Sequence, residues 1–203
     1  MKDNCVLMAE SVTEGHPDKL CDTIADAVLD ACLALDCSAH VACEVMATAG
    51  KIIAAGEITA SRLPDIPAVL CQTVREAGYG GADYEVEVIT HAQSPDIAGV
   101  VGESGELGAG DQGIVYGYAC EETPELLPLP VVLAHRLTRL LTETRKRNRI
   151  PGIRPDGKVE VAVEYRNGRP KRVAAVVVSC QHEAELALPE LRRAVMRHVI
   201  EPA

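Results

Sequence analysis

Along the first half of the chain the spacing of hydrophobic positions switches repeatedly between two periods. Leu20, Ile24, Ala27, Val28, Ala31 and Leu35 recur at three- and four-residue intervals, which puts them on one face of a helix. Pro17 opens that run, where a missing N–H costs nothing and φ is already helical. From Val41 to Thr48 the period falls to two, as in a strand with one covered face. After Ala49-Gly50 the alternation resumes from Lys51 to Ile58, so the pair reads as a hairpin. Met1 to Leu7 is short, partly apolar and suits a strand. Pro64 to Ala77 returns to the helical period and closes at Gly78. Tyr84 to Thr90 alternates once more.

The second half repeats the scheme. Pro130 to Arg147 is helical, with Leu133, Leu137, Leu140, Leu141 and Thr144 on one face. It ends in Arg145, Lys146 and Arg147, cations that complement a helix dipole and normally face solvent. Arg154-Pro155-Asp156-Gly157-Lys158 reads as a tight turn entering a strand in which Val159, Val161, Val163 and Tyr165 alternate. Asn167-Gly168 is a type I′ hairpin turn, Val173 to Ser179 the return strand, and Leu188 to Ile200 a closing amphipathic helix. The first half runs helix, strand, turn, strand, helix, strand; the second stops one strand short. The pattern predicts an α+β protein of two-layer α/β domains, built from repeated helix-strand-hairpin-strand-helix units. The second unit reads as incomplete, or as completed by a strand from another chain.

Composition narrows this picture. Hydrophobic residues make up 47% of the 203 and aromatics 2%, with no Phe or Trp, so the core is built from Val, Ile, Leu and Ala. A net charge of −10 and no long basic run argue against a nucleic-acid surface. An anionic ligand then needs local Lys, Arg or His, or bound metal. Eight cysteines without a C-x-x-C pair fit buried free thiols in a reducing cytoplasm better than disulfides or zinc. Neither a signal peptide nor a membrane-spanning run is evident.

Candidate chemistry concentrates in a few stretches. His16, Asp18 and Lys19 lie at the first helix start, where free N–H groups and the dipole favour an anion. Together they suit a metal-bound phosphate; the same charges also suit plain capping of a helix. Glu44 and Glu57 are carboxylates inside mostly apolar strands, with a solvent-facing position as the alternative. Gln93-Ser94-Pro95-Asp96-Ile97 leads into a Gly-rich segment ending Gly108-Ala109-Gly110-Asp111-Gln112-Gly113, a mobile binding loop in character. It is neither a Walker A loop nor a dinucleotide fingerprint.

These motifs occur together and in order with Glu10-Ser11-Val12-Thr13-Glu14-Gly15-His16-Pro17-Asp18-Lys19, Gly56-Glu57-Ile58-Thr59, Gly117-Tyr118, Ala134-His135-Arg136-Leu137 and Arg154-Pro155-Asp156-Gly157-Lys158. In them the chain resembles the S-adenosylmethionine synthetases (methionine adenosyltransferases) over essentially its whole length. The resemblance implies that fold and the formation of S-adenosylmethionine from ATP and L-methionine, with release of phosphate and diphosphate. It implies an N-terminal domain over 1–99, a mobile lid over 100–107 and an incomplete central domain over 108–203, with the C-terminal domain missing. By the same resemblance His16 and Lys158 are catalytic and contact the triphosphate, while Asp156 and Gly157 line the nucleotide site. Glu57, Gln93 and Asp111 bind methionine, Asp18 a Mg²⁺ and Glu44 the K⁺, in a site with two Mg²⁺ and one K⁺. A cytoplasmic homodimer or dimer of dimers, paired through flat apolar sheet faces, is the implied assembly, with no nucleic-acid or membrane partner. The other reading is a catalytically inactive fragment that only folds, binds nucleotide or dimerises.

Overall fold

The structure is a computed structural model and describes residues 4–80, 84–96 and 113–203. The chain forms two compact units, one running from Pro17 to Tyr116 and the other joining the residues up to His16 with those from Gly117 onward.

In the first of these, α1 (Pro17–Leu35) and α2 (Ile66–Glu76) cover a three-stranded sheet of β2 (His40–Thr48), β3 (Lys51–Thr59) and β4 (Glu85–His91). The sheet order is β2-β3-β4, with β2 and β3 antiparallel and β4 parallel to β3. The parallel pairing is possible because α2 supplies the crossover. Leu20, Ile24, Val28 and Cys32 of α1 are buried with Ile52, Ala54 and Ile58 of β3 and with Ile66, Leu70 and Val74 of α2. Cys32 takes the core position that helical spacing assigns to Leu35, which is exposed. Gly56 is required by geometry, since its φ is +146° and a Cβ there would lie 2.0 Å from the Ala42 carbonyl oxygen. At the far end of α1 the Asp36 carboxylate accepts from the Ser38 hydroxyl at 2.6 Å and from the Ser61 N–H at 2.7 Å. These bonds hold its pKa well below the usual carboxylate range, and they tie the helix end to the segment after β3.

The other unit contains β1 (Asn4–Val12), α3 (Leu129–Lys146), β5 (Ile153–Arg166), β6 (Arg169–His182) and α4 (Leu188–Val195). Its sheet order is β1-β5-β6, antiparallel throughout. Here the structure corrects the expectation of a missing strand. The third strand of this sheet is β1, from the chain's own N-terminal end, and it extends well past Leu7, to Val12. The two units are therefore not copies. In one, the added strand lies parallel to the second strand of the hairpin; in the other, it lies antiparallel to the first.

A second correction concerns Arg154–Lys158, which is not a turn but part of β5. Between the pairs Ile153–His182 and Gly157–Cys180 the strand carries two more residues than its partner. Pro155 sits in this bulge, one of the few strand positions that tolerate a residue without an N–H. The hairpin after Tyr165 turns at Asn167 (φ 52°) and Gly168 (φ 71°), the two left-handed residues that a type I′ turn demands. The closing helix is shorter than its pattern. After Val195 it widens into a π turn, Met196–Ile200, in which Glu201 N–H donates to Met196 O at 2.9 Å. That extra residue keeps Val199 buried in the core with Leu191 and Val195.

Among the described residues, Tyr165 is the largest fully buried side chain. Its hydroxyl donates to Glu122 Oε2 at 2.6 Å, and the same oxygen accepts from Leu129 N–H at 3.0 Å, capping α3. Burial first, then the carboxylate beside it, pushes the phenol well above its ordinary pKa, so it stays a donor. Replacing Tyr165 by Phe leaves the fold intact and removes this link. We expect a loss of about 2 kcal/mol in urea unfolding; no change would show that the Tyr165–Glu122 hydrogen bond contributes nothing to stability.

Candidate functional site

β1 delivers the residues before α1 to one edge of β5. Val12 lies opposite Lys158, the last pair of the ladder. The pairing continues into Thr13, whose N–H donates to Gly157 O at 2.9 Å. The buried Thr13 hydroxyl donates to Pro155 O at 2.7 Å, with Gly157 O also within 3.2 Å. Gly15 is buried against the same stretch. A Cβ there would come within 2.3 Å of Pro155 Cβ and 2.6 Å of its carbonyl carbon, so only glycine permits the approach. His16 follows in a turn closed by its N–H to Thr13 O at 3.1 Å.

The ends of α3 and β5 complete this neighbourhood. Lys158 Nζ pairs with Glu10 Oε2 at 2.7 Å. Glu14 spans two cations of the last turn of α3. One of its oxygens meets the Arg145 guanidinium and the other lies 2.7 Å from Lys146 Nζ. Ser11 Oγ shares hydrogen bonds with His135 Nδ1 at 2.9 Å and Thr138 Oγ1 at 3.1 Å. The stretches 10–16, 135–146 and 154–158, distant in sequence, thus meet within one unit. His16, Asp156, Gly157 and Lys158 all belong to it. Asp156 is half-buried and Gly157 buried. On the neighbouring strand Cys180 lies opposite Gly157. Burial, and then the charge of Asp156, push its thiol up to about 11.

The other expected site residues lie in the unit from Pro17 to Tyr116 or outside the described residues. Asp18 and Lys19 are exposed in the first turn of α1. Glu57 pairs with His91 Nε2 at 3.4 Å across the parallel β3–β4 step. The Gln93 N–H donates to Thr59 Oγ1 at 3.0 Å, just beyond the end of β4. Glu44 is exposed on β2, so it is not the buried carboxylate its apolar strand suggests. Glu57 faces Ala42 and Glu44 faces Ala55, so both carboxylates share the sheet face that α1 and α2 leave uncovered. Asp111 and the lid at 100–107 fall outside the described residues. Among the described residues, no group of three or more His, Cys, Asp or Glu side chains is arranged to hold a metal ion. Among them, too, no helix is long and apolar enough to cross a membrane.

Sequence reasoning misses Thr13, Glu14 and the pair Arg145–Lys146 as parts of this arrangement. Thr13 and Glu14 stand inside the quoted motif without a role. Arg145 and Lys146 read as a solvated helix end, and periodicity alone contains nothing that pairs them with Glu14.

The family model of the S-adenosylmethionine synthetase N-terminal domain matches residues 4–98, and that of the central domain matches residues 106–203. The S-adenosylmethionine synthases of two strains of Thermus thermophilus are each 48% identical to the chain over 98% of its length. The match covers 55% of each relative, so the chain spans about half the length of the curated relatives it matches. The chain belongs to the S-adenosylmethionine synthetase family.

Two outcomes follow from the geometry. Gly15→Ala forces a methyl into Pro155 and is expected to cost about 2 kcal/mol or more in chemical denaturation. Gly80→Ala, with open space around it, should stay within about 0.5 kcal/mol of the parent or gain slightly. Equal losses would contradict the docking of Gly15. For Cys180 the thiolate is the reactive form, so alkylation should accelerate about tenfold per pH unit between 7 and 10, without a plateau. Mass-spectrometric mapping of iodoacetamide adducts reads this directly, and a plateau near pH 8 would contradict it.

Proposed function

We propose that this chain is the N-terminal and central portion of a methionine adenosyltransferase, which forms S-adenosylmethionine from ATP and L-methionine with release of phosphate and diphosphate. The observation that carries the reading is the docking of the His16 loop on Pro155 and Gly157. It brings two candidate donors, His16 and Lys158, into one unit with Asp156 and Gly157. The two Thermus relatives bear the name of that activity.

The methionine sulfur attacks C5′ of ATP and the whole triphosphate leaves, to be cleaved before release. Sulfur is already nucleophilic, so the first step needs no general base. What it needs is stabilisation of charge on the leaving group by fixed cations and donors. His16 and Lys158 fill that role in our reading, and Asp156 with the Gly157 backbone lines the nucleotide. Glu57 and Gln93, with Asp111, bind methionine. His91 beside Glu57 and the Thr59 hydroxyl on the Gln93 N–H support that assignment. An acidic chain with few cations fits a metal-assisted phosphate site. Asp18, an exposed hard-oxygen donor at a helix start, suits Mg²⁺, which takes one or two carboxylates alongside phosphate oxygens. Glu44 suits K⁺. When bound, two Mg²⁺ and one K⁺ neutralise charge on the triphosphate and its surroundings.

We infer a domain division at 1–99, 100–107 and 108–203, and a homodimer or dimer of dimers. Among the described residues, each sheet leaves one face without helices. Val6, Met8 and Val177 are exposed on one such face, Met46 and Ile89 on the other. Apolar exposure of that kind is normally covered by a partner, and a symmetric one is commonest. Eight free thiols fit a cytoplasmic setting. A chain that spans half the length of its relatives favours a second reading, in which these residues alone fold, bind nucleotide or dimerise without turnover.

Calorimetric titration with ATP and Mg²⁺ tests the site. Asp18→Asn is expected to weaken metal-dependent ATP binding about tenfold and Asp26→Asn less than about twofold, since both are exposed on α1 but only Asp18 lies in its first turn. Equal effects would return Asp18 to helix capping. From the 203 residues alone we expect ATP binding without S-adenosylmethionine formation, and product above a no-enzyme control would exclude the inactive reading.

A further inference from the structure

Glu14 is separated from His16 by a single residue, and it is held more elaborately than a loop carboxylate needs to be. Arg145 and Lys146 close on its two oxygens, and the side chains of Glu14 and Arg145 are only 30% and 17% exposed. A charge-assisted pair this sheltered from solvent is stronger and less screened than a surface bridge. Both cations belong to the last turn of α3, a rigid helix whose Leu137 and Leu141 are buried against β5. The loop is therefore fixed at two adjacent residues just before His16. Thr13 is bonded to Pro155 and Gly157, and Glu14 is tied to the end of α3. His16 follows directly, in the turn that its own N–H closes onto Thr13.

We propose that Glu14, through Arg145 and Lys146, is a positioning residue. It fixes the backbone turn that presents His16 beside Asp156–Lys158, and so preorganises the donors that meet a bound triphosphate. The inference rests on the triphosphate reading given above. Preorganisation matters here because donors stabilise an anion most when they need not reorganise to meet it. The cations at the end of α3 thereby gain a second role beyond complementing the helix dipole.

The sign of one substitution separates positioning from bulk electrostatics. Glu14→Gln removes a negative charge near an anion site. Charge alone would tighten the binding of an anion, whereas loss of positioning weakens it. Binding of inorganic tripolyphosphate with Mg²⁺ to the 203-residue chain, measured by calorimetry, reads the difference. Amide hydrogen exchange at His16, followed by NMR without ligand, reports the turn itself. We expect Glu14→Gln to weaken tripolyphosphate binding about tenfold and to speed His16 exchange about tenfold. Arg145→Lys should keep both within about threefold of the parent, since Lys retains the charge. Glu143→Gln, whose carboxylate pairs with Arg147 instead, should change neither. Unchanged or tighter binding by Glu14→Gln would overturn the proposal, as would unchanged His16 exchange. A parent chain that binds no tripolyphosphate, while Glu14→Gln still accelerates His16 exchange, would overturn the triphosphate reading and leave the latch standing.

Discussion

The hydrogen bond from Thr13 N–H to Gly157 O is the last rung of the ladder that β1 makes with β5, and the placement of the candidate phosphate donors depends on it. Without that ladder the sheet of this unit would be a bare hairpin, and the segment before α1 would have no surface to dock on. With it, every backbone step from Asn4 to Thr13 is set against a strand whose Val159, Val161, Val163 and Tyr165 are buried under α3 and α4. Burying each of those side chains contributes about 2 kcal/mol. The register is correspondingly firm, because a slip of one residue would turn Cys5, Leu7 and Ala9 out of the core. The position of His16 is thus inherited from hydrophobic packing well away from it.

The bulge in β5 is the local device that makes the docking possible. Two extra residues between Ile153 and Gly157 push Pro155 and its carbonyl toward the loop, where Thr13 and Gly15 receive them. The alternation of burial runs on through the bulge, so Pro155 and Gly157 are both buried while Asp156 between them is half-buried. An unbulged strand would offer the loop a flat ladder with no carbonyl free for the Thr13 hydroxyl. Lys158, immediately beyond, returns to regular pairing and carries its ammonium to Glu10 across the strand.

Much of the secondary structure was legible because it follows from period. The helix from Pro17, both hairpins and the strand after Gly78 were visible in spacing and turn residues alone. What was not legible depended on partners far away in sequence. Nothing in Met1 to Leu7 says that its strand continues through Glu10 and Ser11, or that it adds to a hairpin some 150 residues later; that is a tertiary choice made by the free edge of β5. Arg154–Lys158 has the residue chemistry of a turn, and only the long partner strand β6 draws it into the sheet. Cys32 is buried while Leu35, the last residue of α1, is exposed, a difference that helical spacing alone does not foretell. Among site residues, the motif runs were visible but their mutual contacts were not. Glu14 with Arg145 illustrates this, since each charge has an ordinary explanation on its own.

The most direct test of the account is whether β1 pairs with β5 of the same chain. A sample mixing chains labelled with ¹⁵N and chains labelled with ¹³C distinguishes contacts within a chain from contacts between chains. The account predicts cross-strand backbone NOEs in antiparallel register, with Met8 opposite Ala162 and Val12 opposite Lys158, arising within single chains. Absence of those NOEs, or their appearance only between differently labelled chains, would contradict it.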